Sequence, residues 1–123
     1  MELLSLTTWK WSVRAPYPFE TSITSAPTVY LNHDFILVGG WTGLGTLSRI
    51  AAYSPQTDQW TTKGNLLTPR ADHGVRIIPN GLLVIGGRMD SHNEQMSEKC
   101  IYKDDTNSTM NCTYQAPTEP RCM

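Results

Sequence analysis

The residues that could carry chemistry are few in this 123-residue sequence, and their spacing favours no catalytic site. His33, His73 and His92 lie far apart, and there is no Cys-x-x-Cys pair, so metal-ligand spacing is missing. Asp90, His92 and Glu94 alternate in one segment and could hold a cation, but a solvated acidic loop is the expectation. Without a nucleophile motif or a phosphate-binding glycine loop, the sequence predicts no enzyme, no metal and no cofactor.

Three cysteines, Cys100, Cys112 and Cys122, are the other reactive side chains. Cys100 and Cys112 flank a polar, turn-rich segment, so a hairpin would place them opposite each other within disulfide reach. Closing so short a loop would contribute about 2–3 kcal/mol. Two neighbouring free thiols are the alternative, and Cys122 has no evident partner.

Two Asn-x-Ser/Thr sequences lie on the same predicted hairpin, at Asn107 and Asn111, and are candidate glycosylation sites. Together with a disulfide they favour an extracellular or secreted protein. A cytoplasmic protein with free thiols is the alternative.

Composition excludes two classes of partner. The formal net charge is −1 and only 17% of the residues are charged, so the chain lacks the clustered basic residues of a nucleic-acid-binding protein. The best apolar runs are four residues, at 35–38 and 82–85, far short of a membrane span. We therefore expect no nucleic-acid partner and no insertion into a membrane.

The elements that must position these residues repeat along the chain. The doublets Gly39-Gly40 and Gly86-Gly87 are 47 residues apart, and each follows one of the apolar runs. Those runs do not alternate with polar residues, which predicts strands that are buried on both faces. Before the second run, Asn80-Gly81 predicts a two-residue hairpin turn.

Further strands follow each doublet. Residues 49–53 match residues 98–102, and residues 59–62 read as a fourth strand after a turn. Residues 8–13 resemble that fourth strand, from a unit that began earlier. No segment has the apolar spacing of a helix, so the fold class is all-β, built from four-stranded antiparallel units.

These features resemble the kelch repeat. In one unit Pro69-Arg70-x-x-His73-Gly74 precedes the apolar run and its doublet, and in the other Tyr53 and Trp60 follow at a spacing of seven. The signature residues are Gly39, Gly40, Tyr53, Trp60, Arg70, His73, Gly86, Gly87 and Tyr102. Two features depart from the pattern: Ile23 and Ala26 occupy the positions of Arg70 and His73 in the earlier unit, and no tryptophan follows Tyr102.

The resemblance implies a partial β-propeller and structural roles for the signature residues. Residues 1–15 would be the last strand of a preceding blade, 16–64 a blade, 65–118 a second, variant blade, and 119–123 a tail. Tyr53 and Trp60 would wedge between blades, and Arg70 and His73 would hydrogen-bond across a blade interface. A closed ring needs about four to eight blades, so we expect a fragment of a longer propeller or an assembly that supplies further blades.

The resemblance also implies a non-enzymatic module that presents loops at 41–47, 88–97 and 103–109 to a protein partner. Trp41 is the expected aromatic contact. One alternative is a carbohydrate-modifying kelch enzyme similar to galactose oxidase, whose Tyr/His/Cys copper ligands this chain does not visibly supply. The other is an extracellular glycan-binding propeller.

Overall fold

The computed structural model of the chain describes residues 1–19, 23–88, 97–103 and 108–115. Within these residues there are twelve β-strands and no helix, so the predicted all-β class is confirmed. Because no helix occurs there, none of the described segments is a helical membrane span. Eight of these strands form two four-stranded sheets, and the other four form two short hairpins.

The first sheet contains β3 (Thr28–Leu31), β4 (Asp34–Val38), β7 (Arg49–Ser54) and β8 (Gln59–Asn65), hydrogen-bonded in that order. All pairs are antiparallel. The β3–β4 turn consists of Asn32-His33, with φ values of 53° and 69°. A two-residue turn with positive φ at both positions matches the twist of the strands and fixes their register.

The second sheet repeats this arrangement with β9 (Gly74–Ile78), β10 (Gly81–Ile85), β11 (Ser97–Tyr102) and β12 (Met110–Gln115). Its first turn is one residue earlier than predicted. Pro79 and Asn80 form the turn, and Gly81 is already paired with Ile78 at the start of β10. The segment between the two sheets, residues 66–73, is called the interblade linker below.

A separate hairpin precedes the first sheet and comprises β1 (Glu2–Ser5) and β2 (Lys10–Val13). Its turn has the geometry of the β7–β8 turn: the Trp9 N–H donates to the Ser5 carbonyl at 2.7 Å, and the Asp58 N–H donates to the Ser54 carbonyl at 2.8 Å. The φ values of Trp9 and Asp58 are 56° and 55°. The first 13 residues thus contain two strands where the sequence indicated one, and they match the last two strands of a blade.

A single core lies between the two sheets. Its members are Ile36, Val38, Ile50, Ala52, Leu66, Leu82, Val84, Cys100, Tyr102 and Met110. The expectation that both faces of the apolar strands are buried holds for one face only. Leu82 and Val84 are fully buried, whereas Leu83 is half-buried and Ile85 is 44% exposed. The reason is that each sheet has only one four-stranded neighbour among the described residues.

Candidate functional site

The interblade linker carries a fully buried ion pair. Neither Arg70 nor Glu98 has any exposed surface, and the Arg70 Nη2 lies 2.8 Å from the Glu98 Oε2. The same carboxylate accepts hydrogen bonds from the backbone N–H groups of Leu67 at 2.5 Å and Thr68 at 3.1 Å. Charge-assisted bonds of this kind fix the linker against β11 of the second blade.

Arg70 also lies between the two glycine doublets. Its guanidinium donates to the Gly86 carbonyl at 2.9 Å, and its own carbonyl accepts from the Gly40 N–H at 2.9 Å. The residue therefore contacts one doublet with its side chain and the other with its backbone. This arrangement ties the linker to both blades.

His73 is buried beside the same doublets. A methyl group at Gly39 would lie 3.0 Å from the His73 Cε1, and one at Gly87 would lie 2.7 Å from the His73 Cβ. The His73 residue is 6% exposed, and its ring packs against backbone that carries no side chain.

This environment predicts a pH-dependent stability. Burial lowers the pKa of His73 from 6.5 to about 4; hydrogen bonding to the backbone of Val38 and Ala71 and the charge of Asp72 oppose this shift, and the Arg70 charge assists it. Because the unfolded chain binds the proton more readily, this contribution is complete above pH 6.5 and is lost as the pH falls to about 4. The loss amounts to about 3 kcal/mol. Urea unfolding of the wild type and of His73→Gln at several pH values between 7 and 4 measures this loss. An equal fall of the free energy of unfolding with pH in the two proteins would contradict the assignment to His73.

In the first blade, Tyr53 and Trp60 fix the segment that leads into the blade, residues 14–17. The Tyr53 hydroxyl donates to the Asp58 Oδ1 at 2.6 Å, and the Ala15 N–H donates to the same oxygen at 2.8 Å. The Trp60 indole N–H donates to the Ala15 carbonyl at 2.9 Å. The bonds from Ala15 and then Tyr53 lower the pKa of Asp58. Tyr53 and Trp60 therefore bind residues 14–17, which connect the first hairpin to this blade.

The second blade differs at the corresponding place. Tyr102 pairs with Met110 across β11 and β12, as Tyr53 pairs with Trp60 across β7 and β8. Sequence comparison missed Met110 because it follows Tyr102 by eight residues rather than seven. The Tyr102 hydroxyl is buried, and this burial raises its pKa against the opposing effect of the Asn32 side chain.

We call the region beside the first doublet the loop face; it comprises Trp41 and Leu44 of one hairpin, Asp72 of the interblade linker and Arg88 after the second doublet. Trp41 is half-buried, and its backbone exchanges hydrogen bonds of 2.8 and 2.9 Å with Thr24. The Arg88 guanidinium lies 5.9 Å from the centre of the Trp41 ring and 3.6 Å from Asp72. Leu44 is completely exposed. It lies between β5 (Trp41–Thr42) and β6 (Gly45–Thr46), a hairpin that follows Gly40 directly.

The cysteine pair lies on the outer strands of the second blade. Cys100 and Cys112 face each other directly and are joined by a disulfide. Their sulfurs and the Glu98 carboxylate come within 4.8 Å of one another, a cluster of potential metal ligands. The sulfurs are bonded to each other and the carboxylate holds three donors, so these atoms are not free to bind a metal.

Several predicted features lie outside the described residues. They are the Asp90, His92 and Glu94 cluster, the sequon residue Asn107, and Cys122. The other sequon residue, Asn111, lies on β12 and is exposed. The predicted loops at 88–97 and 103–109 are described only at their ends.

Comparison with known proteins gives a consistent set of relatives. The Kelch motif family matches residues 24–67. The kelch-like protein terF of Aspergillus terreus is 35% identical over 86 residues, covering 64% of this chain and 19% of its own length. Kelch-like protein 35 of Mus musculus is 33% identical over 88 residues, covering 72% of this chain and 14% of its own length. The chain thus spans less than a fifth of these relatives.

A more distant human relative is the influenza virus NS1A-binding protein, 28% identical over 80 residues, which cover 65% of this chain and 12% of that protein. Among solved structures, YjhT superposes with a TM-score of 0.67 at 13% identity, over 89% of this chain and 42% of YjhT. At that identity the likeness shows the fold, a β-propeller. The chain is a kelch-repeat protein, and its two four-stranded sheets are propeller blades.

Proposed function

We propose that the two blades act as a non-enzymatic scaffold that presents the loop face to a protein partner. The observation that carries this proposal is Leu44, a leucine with no covered surface in the turn of the hairpin that begins with Trp41, whose ring lies 5.9 Å from the Arg88 guanidinium. Trp and Arg are the side chains that most often dominate binding energy in interfaces. One human relative is named as a protein that binds the influenza virus NS1A protein, which supports a protein-binding role.

The base of the loop face is held in place before any partner binds. The Leu47 N–H donates to the Gly40 carbonyl at 2.8 Å, which closes the β5–β6 hairpin onto the first doublet. Trp41 is bridged to Thr24 in the same way. A preorganised loop loses little conformational entropy on binding, which favours affinity. Arg70 and Glu98, in contrast, are fully buried in the core, so this charged pair is not exposed to a partner.

Replacing Leu44 with Asp is expected to weaken partner binding at least tenfold, because a charge would enter the apolar centre of the interface. Folding is expected to be unaffected, since the side chain is fully exposed. Leu6→Asp is the matched control, at a leucine that is 71% exposed in the turn of the first hairpin. The partner would be identified by crosslinking and mass spectrometry, and affinities measured by calorimetry. Equal affinity of the partner for Leu44→Asp and Leu6→Asp would refute the proposed role of the loop face.

We also propose that the protein works in an oxidising, extracellular or secretory compartment. The Cys100–Cys112 disulfide and the exposed Asn111 support this placement. If it is correct, material from a eukaryotic secretory host will carry a glycan that glycosidase treatment removes, and Asn111→Gln will reduce the glycan mass. A protein that carries no glycan and contains three free thiols when isolated from its native source would contradict the placement.

A further inference from the structure

The side of the second blade that is turned away from the first blade is open among the described residues. Directly paired residues share one face of an antiparallel sheet, so Arg76, Leu83 and Lys99 form a row across this side. Arg76 and Lys99 are exposed and Leu83 is half-buried. A cavity of about 410 Å³ opens beside Leu83 and Lys99. We call this surface the outward face.

The corresponding face of the first blade is covered. The glycine doublets align the two blades at an offset of 47 residues, so Leu83 corresponds to Ile36. Leu83 pairs with Lys99 as Ile36 pairs with Ala52. Ile36 and Ala52 are buried in the core between the blades. The second blade therefore presents, uncovered, the face with which the first blade contacts its neighbour.

The first hairpin presents the other half of such an interface. Its turn has the geometry of the β7–β8 turn, so its Leu4–Trp11 pair corresponds to the tyrosine pair of a blade, which is Tyr102–Met110 in the second blade. Tyr102 and Met110 are buried in the core between the blades. Trp11 and Val13, on the corresponding face of the hairpin, are 66% and 84% exposed.

The two open faces carry opposite charge. Over the described strands of the second blade, the outward face has the cations Arg76 and Lys99 and no carboxylate. The Leu4–Trp11 face of the hairpin has the carboxylate of Glu2, which is exposed, and no cation. A surface that covers Lys99 must supply an anion, because a buried charge without a partner is costly. The hairpin meets this requirement.

The interface within the chain indicates which strands would meet. There β3 lies against β9 and β8 lies against β12, so corresponding strands face each other. Because β1 and β2 correspond to the last two strands of a blade, they would lie over β11 and β12 of a neighbouring copy. This arrangement brings Glu2 of β1 towards Lys99 of β11, whereas Arg76 lies on β9, outside the contact.

We propose that copies of this chain associate head to tail, with the first hairpin of one copy packed on the outward face of the next and Glu2 paired with Lys99. The contact joins two different surfaces, so it generates rings or open chains rather than a two-fold dimer. The hairpin is only half a blade, so the contact is small and association depends on concentration. This inference is independent of the loop face.

The test is sedimentation velocity of the intact protein over a range of concentrations. Asn111 lies on the outward face, so a glycan there would exclude a second copy, and each protein is first treated with a glycosidase. The wild type is expected to form species larger than one chain as its concentration rises. Glu2→Lys and Lys99→Glu are each expected to weaken association about tenfold, because like charges then meet.

The two charge reversals also compensate each other. An equal mixture of Glu2→Lys and Lys99→Glu is expected to associate within about threefold of the wild type, since each contact again joins opposite charges. The double variant is expected to do the same. Arg76→Glu is the matched control, because it reverses a charge on the same face but outside the contact, and it should change association by less than about threefold.

The apolar part of the contact has its own matched pair. Trp11→Asp is expected to weaken association about tenfold, because it places a charge in the contact. Trp9→Asp should have little effect, since Trp9 is 72% exposed in the turn and corresponds to Asp58 of the first blade.

A wild type that stays a single chain at every concentration overturns the inference. So does a mixture of Glu2→Lys and Lys99→Glu that associates no better than either variant alone. Leu44→Asp separates this inference from the proposed function: it should weaken partner binding and leave self-association unchanged.

Discussion

Replacing Glu98 with Gln is expected to lower the free energy of unfolding by about 3–5 kcal/mol, because it breaks a buried ion pair by removing one partner. The carboxylate holds the Arg70 guanidinium and two backbone N–H groups. A glutamine would present one accepting oxygen and one NH2 group to these three donating groups. The Arg70 charge would stay buried without an anion. Urea unfolding at pH 7 measures the change.

An exposed ion pair in the same region is the matched control. Arg88 and Asp72 lie 3.6 Å apart, with side chains that are 55% and 60% exposed. Asp72→Asn is expected to cost less than about 1 kcal/mol, since solvent screens the pair. Replacing both Arg70 and Glu98 with Met should restore at least half of the loss caused by Glu98→Gln. Similar costs for Glu98→Gln and Asp72→Asn would show that the buried pair does not hold the linker.

Gly81→Ala is the second substitution with a large expected effect, a loss of about 4 kcal/mol or more. A methyl group at Gly81 would lie 2.0 Å from the backbone oxygen of Cys100, on the neighbouring strand β11. Because the obstacle is backbone, the strands must separate to accept the methyl group. Thermal or urea unfolding gives the magnitude.

Gly43 supplies the comparison for this substitution. A methyl group there would have no neighbour within 4 Å, so Gly43→Ala is expected to change the free energy of unfolding by less than about 1 kcal/mol. A Gly81→Ala variant as stable as Gly43→Ala would mean that β10 and β11 are not as close as the structure has them.

Short-range sequence signals predicted the blades. Glycine doublets after apolar runs and the spacing from Tyr53 to Trp60 are set by local backbone geometry, so they can be read directly from the sequence. Gly81 shows where such reading fails. Asn-Gly predicts a turn at both residues, but here the glycine serves close strand approach and the turn lies one residue earlier. Sequence alone does not distinguish these two uses of a glycine.

The contacts between segments could not be predicted in the same way. Glu98 follows Arg70 by 28 residues, and a glutamate within a strand usually faces solvent, so nothing local marks it as the buried partner. The loop face likewise combines a hairpin tip, the linker and the residue after the second doublet. No sequence signal marks Met110, because a methionine stands there in place of the tryptophan of the repeat. Only the cross-strand register places it opposite Tyr102.

We expect the interblade linker to join the two blades into one cooperative unit. Native-state hydrogen exchange of Glu98→Gln tests it most directly, with Ile36 and Val38 reporting on the first blade and Leu82 and Val84 on the second. All four are fully buried core residues of the shared interface. If the blades form one unit, amide protection falls by the same factor in both. Protection that is lost in β10 but unchanged in β4 would contradict it.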